Sequence, residues 1–467
     1  MKSGRTIRSI ALCTVAAVAY LGPLPAIADT LEGSLVQSYQ NNPVLNAQRA
    51  ALRATDEGVG IALSGYRPRV TATITQGASA VQQGARSGTT GVRSTSPNAA
   101  LVPQSYGITA TQTLYNGNQT GNRTRQAESQ VSAARETLRL TEQTVLLNAA
   151  TAYMNLLRDT AILDLQKRNV EVLQEQLRQT RDRFNVGEVT KTDVAQAESR
   201  VAAGRSSMLG AESNYVTSRA TYRQVVGIEA GKLAPGSPVD RLSPRTLPSA
   251  VEQGRVENPN VTAAALGVDV ALLQVKINEG ALYPTVSVAG SVTQSMDTSA
   301  ILPSQFVYTA LGTVSVPLYQ GGSEYATIRQ SKETLGQRRM DLDTQRDSAQ
   351  QSVVQSWGQL EAAKAQIIAT QAQVTAAETA LNGVREEARV GQRTTLDVLN
   401  AQQELVNARV ALVTAQRDRV VASYALLAAT GRLSVQVLAV RSPTYDPGVH
   451  YQQVRDTWFG VRTPDGK

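Results

Sequence analysis

Thiol and imidazole groups are nearly absent from this 467-residue chain, which has one cysteine, Cys13, and one histidine, His450. That leaves little for thiol nucleophiles, His-rich metal centres or a disulfide framework, although it does not exclude every carboxylate chemistry. Aromatic residues make up 4 %, with three Phe and two Trp. A thick globular core is therefore not expected. The abundant Ala, Gln, Thr, Ser and Val suit thin layers of closely packed helices. Beyond the N-terminus no apolar run approaches the ~20 residues that a spanning helix needs, so any membrane crossing must use a closed β-barrel. Charge of one sign is also scarce. The formal net charge of +8 falls to +5 without Lys2, Arg5 and Arg8. So mild and dispersed a charge implies no nucleic-acid partner.

Those three basic residues, the apolar stretch from Ile10 to Leu21 and Ala26-Ile27-Ala28 before Asp29 form the layout of a secretory signal peptide over residues 1–28. The alternative, a membrane anchor, is disfavoured by the shortness of the apolar run. Cys13 lies inside this leader and lacks the small preceding residue of a lipidation signal. An exported mature chain without cysteine is expected.

What the sequence does contain is a duplication. Phe184-Asn185-Val186-Gly187-Glu188-Val189-Thr190-Lys191-Thr192-Asp193-Val194 is echoed 204 residues later by Ala388 to Val398, which includes Val390, Gly391, Thr395 and Asp397. Glycine ends a helix by supplying a left-handed backbone, and Thr then Asp suit the start of the next. Each copy reads as the tip of a long helical hairpin. Both halves also open alike, with Asn41-Asn42-Pro43 and Glu257-Asn258-Pro259. The return helices stop at Gly227 and Gly431. The expected organisation is a first repeat over 29–232, a connection over 233–248 with Pro235, Pro238, Pro244 and Pro248, a second repeat over 249–437, and a tail over 438–467.

Between Gln119 and Phe184 there is no proline, which predicts a helix of roughly 100 Å at 1.5 Å per residue. Leu156, Leu163, Val170, Leu177 and Phe184 recur at sevens, as do Val353, Leu360, Ile367, Val374, Leu381 and Ala388. The return helices continue the pattern with Val194, Val201, Met208, Tyr215 and Tyr222, and with Val398, Leu405, Leu412 and Leu426, interrupted by Arg419. A sustained seven-residue apolar repeat imposes a left-handed supercoil. Ala401, Ala408, Ala415 and Ala422 beside the second set permit close approach. On heptads alone, a plain two-stranded coiled-coil spacer is the better fit, and it is the duplication and the strands that turn the reading away from it.

Each half also has two candidate strands. Val70–Gln76 and Tyr106–Leu114 flank a Gly/Ser/Thr-rich stretch near Gly84-Ala85-Arg86-Ser87-Gly88, and Val286–Gln294 and Val307–Leu318 flank Asp297-Thr298-Ser299. Val286, Val288 and Val292 alternate with Ser287, Ser291 and Thr293, a period of two. An ordinary periplasmic hairpin is the alternative to a membrane strand pair. Four strands cannot close a barrel, because single-chain barrels begin at about eight. Membrane-spanning strands would have to be pooled among several copies, most simply with cyclic symmetry.

With the repeated plan, the two Val-Gly turns, and Leu114-Tyr115-Asn116-Gly117 echoed by Leu318-Tyr319-Gln320-Gly321, the chain resembles the TolC-like outer-membrane efflux and secretion channels from about Leu31 to Leu433. The resemblance implies a mainly α fold with a small β part, in a homotrimer. Twelve pooled strands would form a β-barrel in outer-membrane lipid, and the hairpins a helical barrel across the periplasm. It implies a periplasmic adaptor and an inner-membrane pump, driven by ATP or a proton gradient, as partners. The cargo would be proteins, drugs or other toxic small molecules. No enzymatic activity, cofactor or metal is implied.

The same resemblance places a gate at the tips. Thr192, Asp193 and Arg393 match its latch-forming residues, while Ala388 replaces a contributing tyrosine. Asp397 matches the first of two acidic constriction rings and Asn400 stands where the second would be. Val186, Gly187, Val390 and Gly391 form the tips that would meet an adaptor. For Asp193 and Asp397, simple helix capping is an equal alternative. A periplasmic adaptor is the rival for the whole chain, but it should show one hairpin and compact β domains. Gly227-Ile228-Glu229-Ala230-Gly231-Lys232 is a residue short of a phosphate loop and continues into Leu233 instead of Ser or Thr.

Overall fold

The computed structural model describes residues 29–81, 84–86, 89–90, 93–95, 99–298, 303–440, 442–464 and 466. The expected leader with Cys13, and the loop residues Ser87, Gly88 and Ser299, lie outside these.

The elements run in two matching series. The first comprises α1 (Leu31–Asn41), α2 (Pro43–Leu63), β1 (Arg69–Gln76), a hairpin extension of four short strands, β2 (Ser79–Val81), β3 (Gly84–Arg86), β4 (Arg93–Thr95) and β5 (Ala99–Leu101), then β6 (Gln104–Asn116), α3 (Gln119–Asn185) and α4 (Lys191–Val226). The second comprises α5 (Leu247–Glu257), α6 (Pro259–Gly280), β7 (Thr285–Met296), β8 (Ser304–Ser315), α7 (Ser323–Arg389) and α8 (Thr395–Ala429), and a last helix, α9 (Pro447–Val454), follows in the tail. The helices α3 and α7 each have 67 residues, or about 100 Å.

Local chemistry explains the boundaries. Asn42 and Asn258 cap α2 and α6 through their side chains, each with Pro at the first helical position. Their amide nitrogens also reach out, Asn42 to the Val225 carbonyl at 3.0 Å and Asn258 to Ala429 at 3.0 Å. Each half thus ties the start of its short helix to the end of its return helix. Strand β8 ends at Ser315, short of the Leu318 expected, and Pro317 beyond it has no N–H to donate to a ladder.

One stretch, Leu247–Gly280, is long and apolar enough to cross a membrane by length and composition, contrary to the sequence expectation that none is. It is broken at Asn258 into α5 and α6, and α6 lies along α3 and α7. It forms part of the helical wall.

The heptad lattice is largely realised. Leu156, Leu163, Val170, Val353, Leu360, Val374 and Leu381 are buried, as are Ala408, Ala415 and Ala422. Phe184 departs from it, being 42 % exposed. The buried residues of α3 nearest the tip are Leu173 and Thr180. Arg419, the interruption in α8, has a partner: its guanidinium lies 3.3 Å from Asp240 in the connection between halves. That connection is anchored on the other side by Tyr153, whose hydroxyl is 2.7 Å from the Asp29 carbonyl and 2.6 Å from that of Ala234. Burial pushes the Tyr153 phenol up to about 12.

Four strands pair in the order β1-β6-β7-β8, all antiparallel. Register assigns the faces. Ala72, Ile108, Val292 and Tyr308 align across the four strands, and the next row is Thr71, Thr109, Ser291 and Thr309. One face is therefore predominantly apolar and the other rich in hydroxyls. Neither β1 nor β8 has a second partner strand among the described residues.

Candidate functional site at the helical tips

The two tips share one construction. Gly187 and Gly391 take positive φ values of 79° and 80°. No atom lies within 4 Å of a Cβ placed on either, so backbone conformation and not space calls for glycine. The Glu188 amide donates to the Arg183 carbonyl and the Gln392 amide to Glu387, each at 2.9 Å, the long closure of a Schellman cap. Val186 and Val390 project from the tips, 78 % and 71 % exposed.

Thr190 and Thr394 then cap the return helices, with Asp193 and Asp397 completing capping boxes. The Oδ2 of Asp193 accepts from the Thr190 amide at 2.8 Å and its hydroxyl at 2.7 Å, and Asp397 accepts from Thr394 at 3.0 and 2.8 Å. The Thr190 hydroxyl and amide hold the Asp193 carboxyl below the usual carboxylate range. The Thr394 amide and hydroxyl do the same for Asp397. Capping accordingly occupies one oxygen of each aspartate and leaves the other for further partners.

Between the tips lies an open cleft of about 970 Å³. Of charged residues, the first hairpin contributes Glu171, Glu175, Glu188 and Asp193 with one arginine, Arg183, and the second contributes Arg385, Arg389 and Arg393. A wall that is acidic on balance faces a basic one, yet the ion pairs form within each hairpin. Arg183 holds Glu188 at 2.9 Å, Arg178 holds Glu175 at 2.7 Å, Arg389 holds Glu386 at 3.1 Å, and Arg393 holds Glu387 at 2.8 Å. Asp193 and Arg393 thus line the same cleft, but each is engaged by a neighbour in its own hairpin. Thr192 is exposed at the start of α4.

Near the tips the two hairpins are joined around Leu399, a residue not singled out in the sequence. Leu399, 1 % exposed, packs with Leu173 of α3 and Val201 of α4, beside Leu177. Next to it, Arg200 donates to the side-chain oxygen of Asn400 at 2.6 Å. Asn400, expected to mark a missing acidic ring, is here an acceptor linking α8 to α4. The available signal was the adjacent pair Val398-Leu399. Val398 packs within its own hairpin with Leu381, so an apolar neighbour about 100° around the helix requires a second partner. Among the described residues no cluster of His, Cys, Asp or Glu is arranged to hold a metal ion.

The family model described as "Outer membrane efflux protein" matches residues 35–228 and 250–432. The chain is 43 % identical over 444 residues to the outer membrane efflux protein BepC of Brucella suis biovar 1, covering 95 % of this chain and 94 % of that one. It is 27 % identical over 312 residues to the outer membrane protein TolC of Escherichia coli, covering 64 % and 63 %. In structure it matches the Campylobacter jejuni CmeC outer membrane channel with a TM-score of 0.76 at 15 % identity, over 91 % of this chain and 89 % of that one. The fold is thus that of a channel-tunnel subunit, with long helices for a helical barrel and strands for a β-barrel. With both repeats matched and nearly the full length aligned, the chain belongs to the outer membrane efflux protein family, whose place is the outer membrane of Gram-negative cells.

Proposed function

We propose that three copies of this chain form the outer-membrane exit duct of a multicomponent export system, closed at rest by its helical tips. The observation that carries this reading is the four-stranded sheet. It has an apolar face, a hydroxyl-rich face and, among the described residues, two free edges, which lipid does not tolerate unless the edges are closed. Three copies supply twelve strands, an even number within the range of outer-membrane barrels. The hydroxyl-rich face would line the lumen.

At the other end the tips act as an iris. Closure rests on Leu399 seated between α3 and α4, the Arg200–Asn400 bond, and the charges of the cleft, with Thr192, Asp193 and Arg393 serving as latch residues between neighbouring hairpins. Because exposed charged contacts each contribute little, a partner that binds the open arrangement more tightly shifts the balance with modest energy. An adaptor fits that role by meeting Val186, Gly187, Val390 and Gly391, with an inner-membrane pump behind it. Asp397 forms the constriction ring, and Asn400, neutral, lowers its negative charge and weakens cation block. The cargo is proteins or toxic small molecules, and the chain itself performs no catalysis.

Heat-modifiable trimers from outer-membrane fractions, conducting ions in planar bilayers, are the expected result. A monomeric mature protein with no affinity for lipid would overturn the reading. Co-purification with a pump identifies the export class.

A further inference from the structure

We propose that the C-terminal tail is a membrane-interface anchor that lays Trp458 and Phe459 into the periplasmic-side headgroup zone of the outer membrane, beside the foot of the β-barrel. The inference rests on the reading of the sheet as membrane-spanning.

The tail is held at a defined height. Helix α9 packs on α2, with Val454 buried and Tyr451 against the cluster of Val59, Ala127 and Val131. The His450 Nδ1 lies 3.0 Å from Oδ2 of the fully buried Asp56. Past α9, Arg67 fastens the chain twice. Its Nη1 donates to the Thr457 carbonyl at 2.7 Å, and its guanidinium sits 4.7 Å from the centroid of the Trp458 ring. Arg67 stands two residues before Arg69, the first residue of β1, so about 7 Å of extended backbone separates it from the strand. Trp458 is therefore held at the level where the sheet begins.

That level is already aromatic. Tyr66 precedes β1, Tyr115 lies near the end of β6, Tyr283 precedes β7 and Tyr319 follows β8, and all four are exposed. Tyr and Trp favour the headgroup region because one end of the ring system is apolar and the other polar. In a chain with only two Trp and three Phe, placing Trp458 and Phe459 side by side at 61 % and 88 % exposure leaves apolar surface that water does not favour. The occupant we assign is phospholipid. The surrounding charge is basic on balance, with Arg67, Arg69, Arg455 and Arg462 against Asp456 and against Glu128, which pairs with Arg455 at 3.6 Å, and basic residues at an anionic membrane surface gain attraction from the headgroups.

The other tryptophan, Trp357, is half-buried in α7, about 34 residues and roughly 50 Å from the helix start at the barrel foot. The full chain, reconstituted as trimers in phosphatidylethanolamine/phosphatidylglycerol vesicles, can therefore report on Trp458 through the Trp357→Phe variant. Bromine placed on the lipid acyl chains near the glycerol should quench most of the Trp458 emission, while aqueous iodide should quench little. Iodide quenching without bromolipid quenching would place the tail in water, and protection from both would place it against a sister subunit. Either result overturns the proposal. Ion conductance of the same vesicles reports barrel insertion separately, so failure of the anchor and failure of the channel reading are distinguishable. If Trp357→Phe does not fold, the bromolipid-sensitive part of the unsubstituted chain's emission gives the same answer.

Discussion

Replacing Leu399 with Ala tests the coupling between the two hairpins most directly. Leu399 is 1 % exposed and buries its side chain against Leu173 and Val201. Removing three carbons forfeits about 2.4 kcal/mol of transfer free energy at ~0.8 kcal/mol per methylene, and an unfilled cavity raises the cost to about 3–4 kcal/mol. The neighbouring Arg200–Asn400 hydrogen bond is exposed, and such a contact contributes about 0.5–1 kcal/mol. The apolar knob therefore outweighs the polar one severalfold. If opening parts α8 from α3 and α4, a loss of about 3 kcal/mol favours the open arrangement on the order of a hundredfold per chain. Planar-bilayer recordings of Leu399→Ala trimers should show higher mean conductance, with Arg200→Ala producing a much smaller rise. Should Leu399→Ala prove poorly folded, Leu399→Val provides a milder step of about 1 kcal/mol. Folded, heat-modifiable Leu399→Ala trimers with unchanged conductance would refute the idea that this packing holds the tips closed.

Arg393→Ser frees Glu387 and removes a proposed latch residue, so conductance should rise while trimer stability stays the same; an unaltered closed-state conductance counts against the latch. His450→Ala leaves the buried Asp56 side chain without its imidazole partner, an unsatisfied buried polar group that costs about 1–3 kcal/mol, and limited proteolysis should then cut the tail first. Gly117 has a φ of 66°, and a Cβ there would meet the Gly280 carbonyl oxygen too closely for either backbone to remain in place; Gly117→Ala should reduce trimer yield far more than Gly187→Ala, where no atom is close and only about 1–2 kcal/mol of left-handed strain applies. The capping carboxyls of Asp193 and Asp397 are lowered in the folded tip, so their stabilisation is complete above the unfolded value of about 3.9 and is lost as pH falls through the folded values. Tip protection measured by hydrogen exchange should be constant from about pH 7 to pH 5 and decline only below about pH 4.

Local chemistry made much of this molecule legible before any coordinates. The Val-Gly turns, the Thr/Asp capping boxes, the Asn-Pro starts and the proline-free runs each depend on residues a few positions apart, and α3, α4, α7 and α8 begin and end where those signals stand. The period-two stretches located the strands for the same reason. Strand faces were a different matter. They depend on register, and only the alignment of Ala72, Ile108, Val292 and Tyr308 separates an apolar face from a hydroxyl-rich one. Sequence spacing also misjudged Phe184, which lies beside the exposed tip and is 42 % exposed.

The sequence by itself determined the duplicated helix–hairpin–helix plan and the four strands that cannot close alone, because helix stops, caps and alternation are short-range properties of the chain. Only the tertiary structure decided which side chains meet. It put Leu399 between α3 and α4, engaged Arg393 with Glu387, gave Arg419 its partner Asp240, and docked the tail through His450 on Asp56, 394 positions away in the chain. A charged or apolar side chain has several candidate partners of the right chemistry, and packing geometry selects among them.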